Sequence, residues 1–129
     1  MNGLPQTLWS VHCVLNTLGA ALASSLKQDR IAKVFQKGTD PEIDSYSGFF
    51  DNARRKATGL EDYLRSRGVD EVHILGLATD YCVKATALDA RSLGFATRLI
   101  TAGCRGVELA AGDCQRAIEE MRAAGVEIA

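Results

Sequence analysis

The stretch that decides the fold is Val72-His73-Ile74-Leu75-Gly76-Leu77-Ala78-Thr79-Asp80-Tyr81-Cys82-Val83-Lys84. It consists of an apolar run, a short polar turn and a cysteine at the predicted start of a helix. Open α/β sheets bind ligands where a strand ends and the chain turns into a helix. The N–H groups and dipole of a helix N-terminus favour the thiolate form of a cysteine. We therefore predict that Cys82 is the nucleophile of a hydrolase.

Strand and helix patterns alternate on both sides of this stretch. Before it, the sequence predicts a helix over about 20–27, a strand over 31–36, a connection over 38–57 and a helix from the capping box Thr58–Glu61 to about 67. Within and after it, the sequence predicts a strand over 71–77, a helix over about 82–93, a strand over 96–101, a helix over about 112–124 and a strand over 126–128. The apolar character of 71–77 predicts burial on both faces. This order is typical of an α/β fold with a parallel sheet and right-handed crossovers.

The composition fits one globular domain and excludes two classes of partner. The chain has 129 residues and a formal net charge of -1, from 15 basic and 16 acidic side chains. This balance gives no electrostatic basis for binding nucleic acid or an anionic membrane. No apolar run approaches the ~18 residues of a membrane span, and the start has no secretory signal. We expect a cytoplasmic protein whose four cysteines are free thiols.

Two irregular segments are rich in side chains that line binding sites. Trp9 and His12 lie close together near the start, in a segment whose composition is typical of a pocket wall. The connection 38–57 contains three aromatic residues, Tyr46, Phe49 and Phe50, within five positions. Disordered linkers are poor in aromatic residues, and long loops in small domains are usually functional. We therefore interpret this connection as a functional loop, of the kind that often forms a lid.

Five blocks of sequence lie in a characteristic order over nearly the whole chain: Gln6–Trp9 continued by His12–Val14, Val34–Gly38, Asp44–Asn52, Gly76–Val83 and Cys104–Val107. Together they resemble the nicotinamidases (pyrazinamidases) of the isochorismatase-like cysteine hydrolases. The resemblance implies a three-layer α-β-α sandwich with a parallel sheet. It also implies hydrolysis of nicotinamide, and of pyrazinamide, to the acid and ammonia through a cysteine acyl-enzyme, in pyridine nucleotide salvage.

The resemblance assigns roles to residues by position. Cys82 matches the nucleophile and Lys37 the lysine of the family's Asp-Lys-Cys triad. A nearby ammonium stabilises a thiolate, which agrees with this pairing. The oxyanion hole of the family maps to the N–H groups of Ala78 and Cys82, around a non-proline cis peptide bond at Leu77–Ala78.

The resemblance also implies a substrate pocket and a metal. Trp9, Tyr46 and Tyr81 match the walls that hold the pyridine ring. One divalent metal, commonly zinc, iron or manganese, is held in the family by an aspartate and two histidines, and His12 matches the later histidine. The expected partners are the small-molecule amide and further copies of the chain, as a homo-oligomer.

The family's opening segment has no match in this sequence. That segment carries the first strand, the triad aspartate and the other two metal ligands. We therefore expect residues 1–129 to form a single domain that corresponds to the C-terminal two-thirds of a family member, without its first strand. Two alternatives stay open: another amide hydrolase of the superfamily, or a non-catalytic chain that needs a partner to complete its site.

The remaining candidate residues have structural interpretations. We expect Cys13, Cys104 and Cys114 to be small apolar packing residues. We expect His73 to be an ordinary strand residue, and Asp80 to cap the helix that carries Cys82.

Overall fold

A parallel three-stranded sheet lies at the centre of the protein, for which a computed structural model describes residues 7–129. The strands follow the order β1 (Glu71–Leu77), β2 (Ala96–Arg105) and β3 (Glu127–Ile128). The helices are α1 (Leu60–Ser66), α2 (Lys84–Ser92) and α3 (Asp113–Ala123), with a π-helical turn over Thr79–Val83 and 3-10 turns at Leu18–Ala20 and Gln28–Arg30. The predicted parallel α/β fold is confirmed. Met1–Gln6, which include the predicted start of the first sequence block, lie outside the described residues.

The core forms where the helical stripe of α2 meets the sheet. Val83, Ala87 and Ala90 recur at helical spacing and are buried, with exposed fractions of 3%, 0% and 0%. The first two pack in one cluster with Leu99 of β2 and Met121 of α3. A second cluster consists of Ala90, Phe49 and Phe95. Phe49 lies in the loop before α1, and Phe95 lies directly before β2. The turn Thr79–Val83, called the nucleophile turn below because it carries the predicted nucleophile Cys82, is therefore attached to a helix whose inner face is buried.

The predicted burial of β1 on both faces is wrong for the described residues. Val72 and Ile74 pack toward the helices, while Leu75 and Leu77 are 58% and 72% exposed. Successive side chains of a strand point to opposite faces, and the helices described here cover one of them.

The predicted strand over 31–36 is also absent from the described sheet. The segment is irregular, and no described strand lies beside it to form a hydrogen-bonded ladder. The alternation of its side chains is real, but a strand requires a hydrogen-bonded neighbour.

The predicted helix over 20–27 is wrong as well, apart from the short turn Leu18–Ala20 at its start. All side chains over 20–27 are exposed. Short helices are marginal without a packed face, so local propensity alone does not stabilise one here.

The other helices lie within two or three residues of their predicted bounds. Before α1, the Thr58 hydroxyl accepts a hydrogen bond from the Leu60 N–H (3.2 Å), but Gly59 is the N-cap residue and the predicted capping box does not form. Glu61 does not close the box, because its carboxylate accepts a hydrogen bond from Arg65 instead. Within residues 7–129, no helix is both long and apolar enough to cross a bilayer.

Strand β2 is longer than predicted because of an irregularity in its pairing with β1. Ile74 pairs with Leu99, but Gly76 pairs with Cys104, so β2 advances five residues while β1 advances two. Bulges in strands are frequent next to active sites, where they change the direction of the chain. Here the irregularity places residues 104–108 beside the carboxyl end of β1, next to the nucleophile turn.

Candidate active site

Cys82 lies between the carboxyl end of β1 and the first residue of α2. The prediction that a helix begins at Cys82 is wrong. Helical winding starts as a π turn at Thr79 and becomes α-helical at Lys84. The peptide bond Leu77–Ala78 is cis, which confirms the predicted backbone. The Ala78 carbonyl then accepts a hydrogen bond from the Val83 N–H at 3.0 Å. Single π turns inside helices are frequent at functional sites.

Lys37 is the charged group that contacts the Cys82 thiol. Its Nζ lies 3.4 Å from the Cys82 Sγ and also donates a hydrogen bond to the Ser45 carbonyl. Lys37 and Cys82 are 45 positions apart in the chain, so the fold brings together the two residues that the sequence pairs. An ammonium at this distance stabilises a thiolate relative to a thiol.

Replacing Lys37 with methionine should slow alkylation of Cys82 near neutral pH about tenfold, because the thiolate loses its cation. Iodoacetamide labelling followed by peptide mass spectrometry measures this rate. Lys33→Met is the matched control, since the Lys33 ammonium lies over the Phe35 and Tyr63 rings at 4.9 and 5.0 Å. Equal slowing in both variants would contradict the assignment of Lys37.

Three aromatic rings cluster beside the nucleophile turn, and they are the three that the sequence assigns to the substrate pocket. The Trp9 and Tyr81 ring centroids lie 4.9 Å apart, and those of Tyr46 and Tyr81 lie 5.5 Å apart, both edge-to-face. Burial raises the pKa of the Tyr81 hydroxyl above its usual value, and the Asp80 carboxylate raises it further. Tyr81 is therefore neutral at physiological pH, as suits the pocket wall that the resemblance implies.

Two recesses have Gly38, the residue after Lys37, in their linings. One has a volume of about 270 Å³ and includes Lys37 and Ser45 in its lining. The other has a volume of about 230 Å³ and includes Trp9 in its lining. Cys82 lines neither recess, so they border the lysine and the aromatic wall rather than enclose the thiol.

The loop that carries Tyr46 is folded rather than an open lid. Phe49 is 2% exposed and stacks with Phe95 at a centroid distance of 6.1 Å. Phe50 and Ala57 form an antiparallel bridge across the loop. The interpretation of this segment as functional stands as a prediction, but the segment is held in place by the core.

Asp51 closes the second half of this loop by accepting hydrogen bonds from three N–H groups. These are the N–H groups of Ala53, Arg55 and Lys56, each at 2.9 Å. Burial raises the pKa of Asp51, but the hydrogen bonds from Arg55, Ala53 and Lys56 outweigh it and lower the pKa overall. The ionised carboxylate is therefore the form that holds the turn.

This turn should open in acid. Because the pKa of Asp51 is lower in the folded state, its stabilisation is complete above the unfolded pKa and is lost as the pH falls through the folded pKa. We expect the Lys56 amide to lose hydrogen-exchange protection between about pH 5 and pH 2. Asp51→Asn should remove this pH dependence while one amide oxygen still accepts two of the bonds. Unchanged protection at pH 2 in the unmodified chain would contradict the role of Asp51.

Asp80 holds a neighbouring loop instead of capping its own helix. Asp80 is 8% exposed, and its carboxylate accepts hydrogen bonds from the Val107 and Glu108 N–H groups at 3.0 and 2.8 Å. No side chain caps the π turn. The predicted capping role is therefore wrong, since the carboxylate instead accepts hydrogen bonds from N–H groups of the loop after β2. Asp80 fixes the chain beside the nucleophile turn.

The other cysteines differ from Cys82 in their surroundings. Cys104 is 6% exposed and packs in the core, as predicted. Cys114 is half-buried, and its hydrogen bond to Glu108 raises its pKa to about 12, with burial adding to the shift. Cys13 is exposed, so its predicted packing role is wrong. Cys82 is the one cysteine with a lysine Nζ in hydrogen-bonding contact among the described residues.

His12 does not form a metal site with other described residues. Its side chain is exposed, and its Nδ1 donates a hydrogen bond to the Ser10 carbonyl at 2.6 Å. The lone pair of Nε2 is therefore the one available to bind a metal. Among residues 7–129, no group of three histidine, cysteine, aspartate or glutamate side chains is placed to hold a metal. Catalytic zinc sites use three protein ligands. The described residues alone therefore do not fit a bound metal ion.

Sequence patterns missed the residues that connect these parts. Ser45 anchors Lys37 through its carbonyl, and Thr86 links the loop to α2 by a hydrogen bond from the Gly48 N–H (2.9 Å). Gly106 lies so close to Cys114 and Asp80 that a side chain does not fit. Ser45, Gly48 and Gly106 fall inside the blocks that carry the resemblance, whereas no pattern singles out Thr86.

Comparison with known proteins assigns the family. Residues 3–129 match the family model described as Isochorismatase domain. The nicotinamidase of Escherichia coli is 53% identical over 128 residues, which are 99% of this chain and 60% of that protein. The chain thus spans about three-fifths of the length of this curated relative.

Solved structures agree with this assignment. The structure of PnC1 from L. infantum in complex with nicotinate has a TM-score of 0.89 and 35% identity, and the match covers 95% of this chain and 60% of that one. The pyrazinamidase of Pyrococcus horikoshii in complex with zinc has a TM-score of 0.81 and 41% identity, over 95% of this chain and 63% of that one.

The parallel sheet and its flanking helices are therefore those of the isochorismatase-like fold. The chain belongs to the isochorismatase family, and it is similar to the nicotinamidases and pyrazinamidases within it.

Proposed function

We propose that this chain carries the nucleophile and aromatic wall of a nicotinamidase, an amidohydrolase that converts nicotinamide, and pyrazinamide, to the acid and ammonia. One observation carries the proposal: Lys37 Nζ lies 3.4 Å from Cys82 Sγ at the carboxyl end of β1. The Trp9, Tyr46 and Tyr81 rings beside this pair suit a flat heteroaromatic substrate. The similarity to the E. coli nicotinamidase supports the same activity.

In this mechanism, the Cys82 thiolate attacks the amide carbonyl carbon and forms a tetrahedral intermediate. The N–H groups of Ala78 and Cys82, which the resemblance implies as the oxyanion hole, are the proposed donors to its oxyanion. The C–N bond then breaks, ammonia leaves with an added proton, and a thioester remains on Cys82. Attack of water on the thioester releases the carboxylic acid and restores the thiol.

Lys37 holds the thiolate and cannot serve alone as the proton shuttle. The proton must move from the thiol to the leaving amine, which requires a group that changes its protonation during the reaction. The triad aspartate that the resemblance implies matches no residue of this sequence. Asp80 does not take its place, because its carboxylate is committed to the Val107 and Glu108 N–H groups. We propose that the shuttle comes from outside the described residues.

We also propose that His12 is one ligand of a divalent metal whose other ligands lie outside the described residues. The zinc in the Pyrococcus horikoshii pyrazinamidase supports a divalent metal in this family. The free Nε2 of His12, left by the hydrogen bond of Nδ1 to Ser10, suits a ligand. The metal could be zinc, iron or manganese, and no catalytic step above depends on it.

The setting follows from the proposed activity. We propose that the protein acts in pyridine nucleotide salvage in the cytoplasm, where its four free cysteines would stay reduced. Its partners would be the small-molecule amide and further copies of the chain, without nucleic acid or membrane.

Incubation of the protein with nicotinamide tests the proposal and separates it from the alternatives. Ammonia release that depends on Cys82 supports nicotinamidase activity. Release from other amides but not from nicotinamide supports another hydrolase of the family. Absence of both turnover and bound metal in this chain alone supports a chain that needs a partner to complete its site.

A further inference from the structure

Thr86 connects two parts of the candidate site that are distant in the sequence. It lies in α2, one turn after Cys82, and its side chain is half-buried. Its hydroxyl donates a hydrogen bond to the Cys82 carbonyl at 2.7 Å and accepts one from the Gly48 N–H at 2.9 Å. Thr86 therefore joins the nucleophile turn to the loop that carries Tyr46.

These bonds belong to a closed ring of contacts around the Lys37–Cys82 pair. From the Cys82 thiol the ring passes to Lys37 Nζ and then to the Ser45 carbonyl, which Lys37 holds by a hydrogen bond. Three residues further along the loop, the Gly48 N–H reaches Thr86, which returns the ring to the Cys82 backbone. The distance between the Lys37 ammonium and the Cys82 sulfur is thus set from both sides.

An ordinary helical threonine explains only half of this arrangement. Threonine hydroxyls often donate to the carbonyl four residues earlier, and such bonds do little for helix stability. The second bond comes from Gly48, 38 positions away, which a helix alone does not explain. Packing there is also close, since a Cβ on Gly48 would lie 3.4 Å from Thr86 Cγ2. A hydroxyl is the small group that donates and accepts at this point.

We propose that Thr86 is a positioning residue that holds the loop carrying Ser45 and Tyr46 against the nucleophile turn, and so keeps the Lys37 ammonium in contact with the Cys82 sulfur. The inference rests on the proposed function, because it assumes that the Lys37 contact activates Cys82. Thr86 acts through Lys37 and the loop, and it touches no reacting atom.

The other charged groups near Cys82 are already paired. Asp80 accepts hydrogen bonds from the N–H groups of Val107 and Glu108, and Lys84 donates a hydrogen bond to the Glu120 carboxylate at 3.0 Å. Tyr81, the remaining titratable neighbour in the turn, has a raised pKa and stays neutral. A change in Cys82 reactivity on substitution of Thr86 would therefore report on Lys37.

The test is the pH profile of Cys82 alkylation by iodoacetamide, read by peptide mass spectrometry, with exposed Cys13 as the internal reference thiol. Thr86→Val removes both hydrogen bonds and keeps the shape. We expect its rate of Cys82 alkylation at pH 7 to fall about three- to tenfold, while the rate at Cys13 does not change. Thr86→Ser keeps the hydroxyl and should restore the original profile.

Two further variants keep the test decisive. Thr97→Val makes the same change at a threonine that is 5% exposed and bonds the Phe95 carbonyl, away from this ring, so its Cys82 profile should match the unmodified chain. If Thr86→Val does not fold by circular dichroism, Thr86→Ala replaces it with the same expectation. An unchanged profile in the folded variant overturns the proposal for Thr86 and leaves the proposed function intact. Cys82 in the unmodified chain reacting no faster than Cys13 overturns both.

Discussion

Replacing Cys82 with alanine should abolish ammonia release from nicotinamide in any preparation of this protein that turns the amide over. The expected loss is about 10³-fold or more, because the only proposed nucleophile is removed while the aromatic wall remains. A coupled ammonia assay measures the rate. Intact mass spectrometry of the unmodified protein during turnover should detect an acyl group on Cys82, and the variant should carry none.

Cys13→Ala is the control for this experiment, since Cys13 is exposed and has no proposed role. Its rate should equal that of the unmodified protein. Turnover that persists in Cys82→Ala at the original rate would remove Cys82 from the mechanism, and with it the function proposed for Lys37.

Replacing Gly106 with alanine should give the largest loss of stability among single-methyl additions near the site. A Cβ at Gly106 would lie 1.9 Å from Cys114 Sγ and 3.2 Å from Asp80 Oδ1. Overpacking of this kind costs about 2 to 3 kcal/mol of unfolding free energy. For a domain of this size we expect the melting temperature to fall by about 10 °C, measured by circular dichroism.

The clash can be separated from a backbone effect by a second substitution. Cys114→Ala removes the sulfur that the new methyl group meets, so Gly106→Ala combined with Cys114→Ala should regain most of the lost stability. Gly19→Ala is the matched control, because a Cβ there would meet no atom closer than 3.6 Å. A single variant Gly106→Ala that melts with the unmodified protein would contradict the packing described for this loop.

Much of the fold was predictable because the buried elements have clear periodicity. The bounds of β1 agree with the apolar run of the opening stretch, and the stripe of α2 marks the face that packs on β2. The sequence fails where a pattern depends on a neighbour. The segment 31–36 alternates like a strand, but it has no paired strand among the described residues.

The site divides in a similar way. Cys82, Lys37 and the aromatic wall were predictable because they lie in sequence blocks with a distinctive order, and the structure brings them together. The loop partners of Asp80 and Thr86 were not predictable, since the bonds from the Val107 and Gly48 N–H groups each span more than 25 positions and depend on how the loops fold. Hydrogen bonds between distant backbone groups and side chains leave no periodic trace in a sequence. The assigned roles of these site residues stay predictions until the reactions are measured.

The irregular pairing of β2 with β1 makes the number of residues between Leu99 and Cys104 a structural constraint. Between Leu99 and Cys104 the strand contains three residues more than its partner, and Ala102 and Gly103 in this interval are exposed. Substitutions at Ala102 leave the position of Gly106 unaltered. We expect deletion of a single residue there to draw the 106–108 loop away from Asp80, so the number of residues should matter more than the identity of the side chain at Ala102.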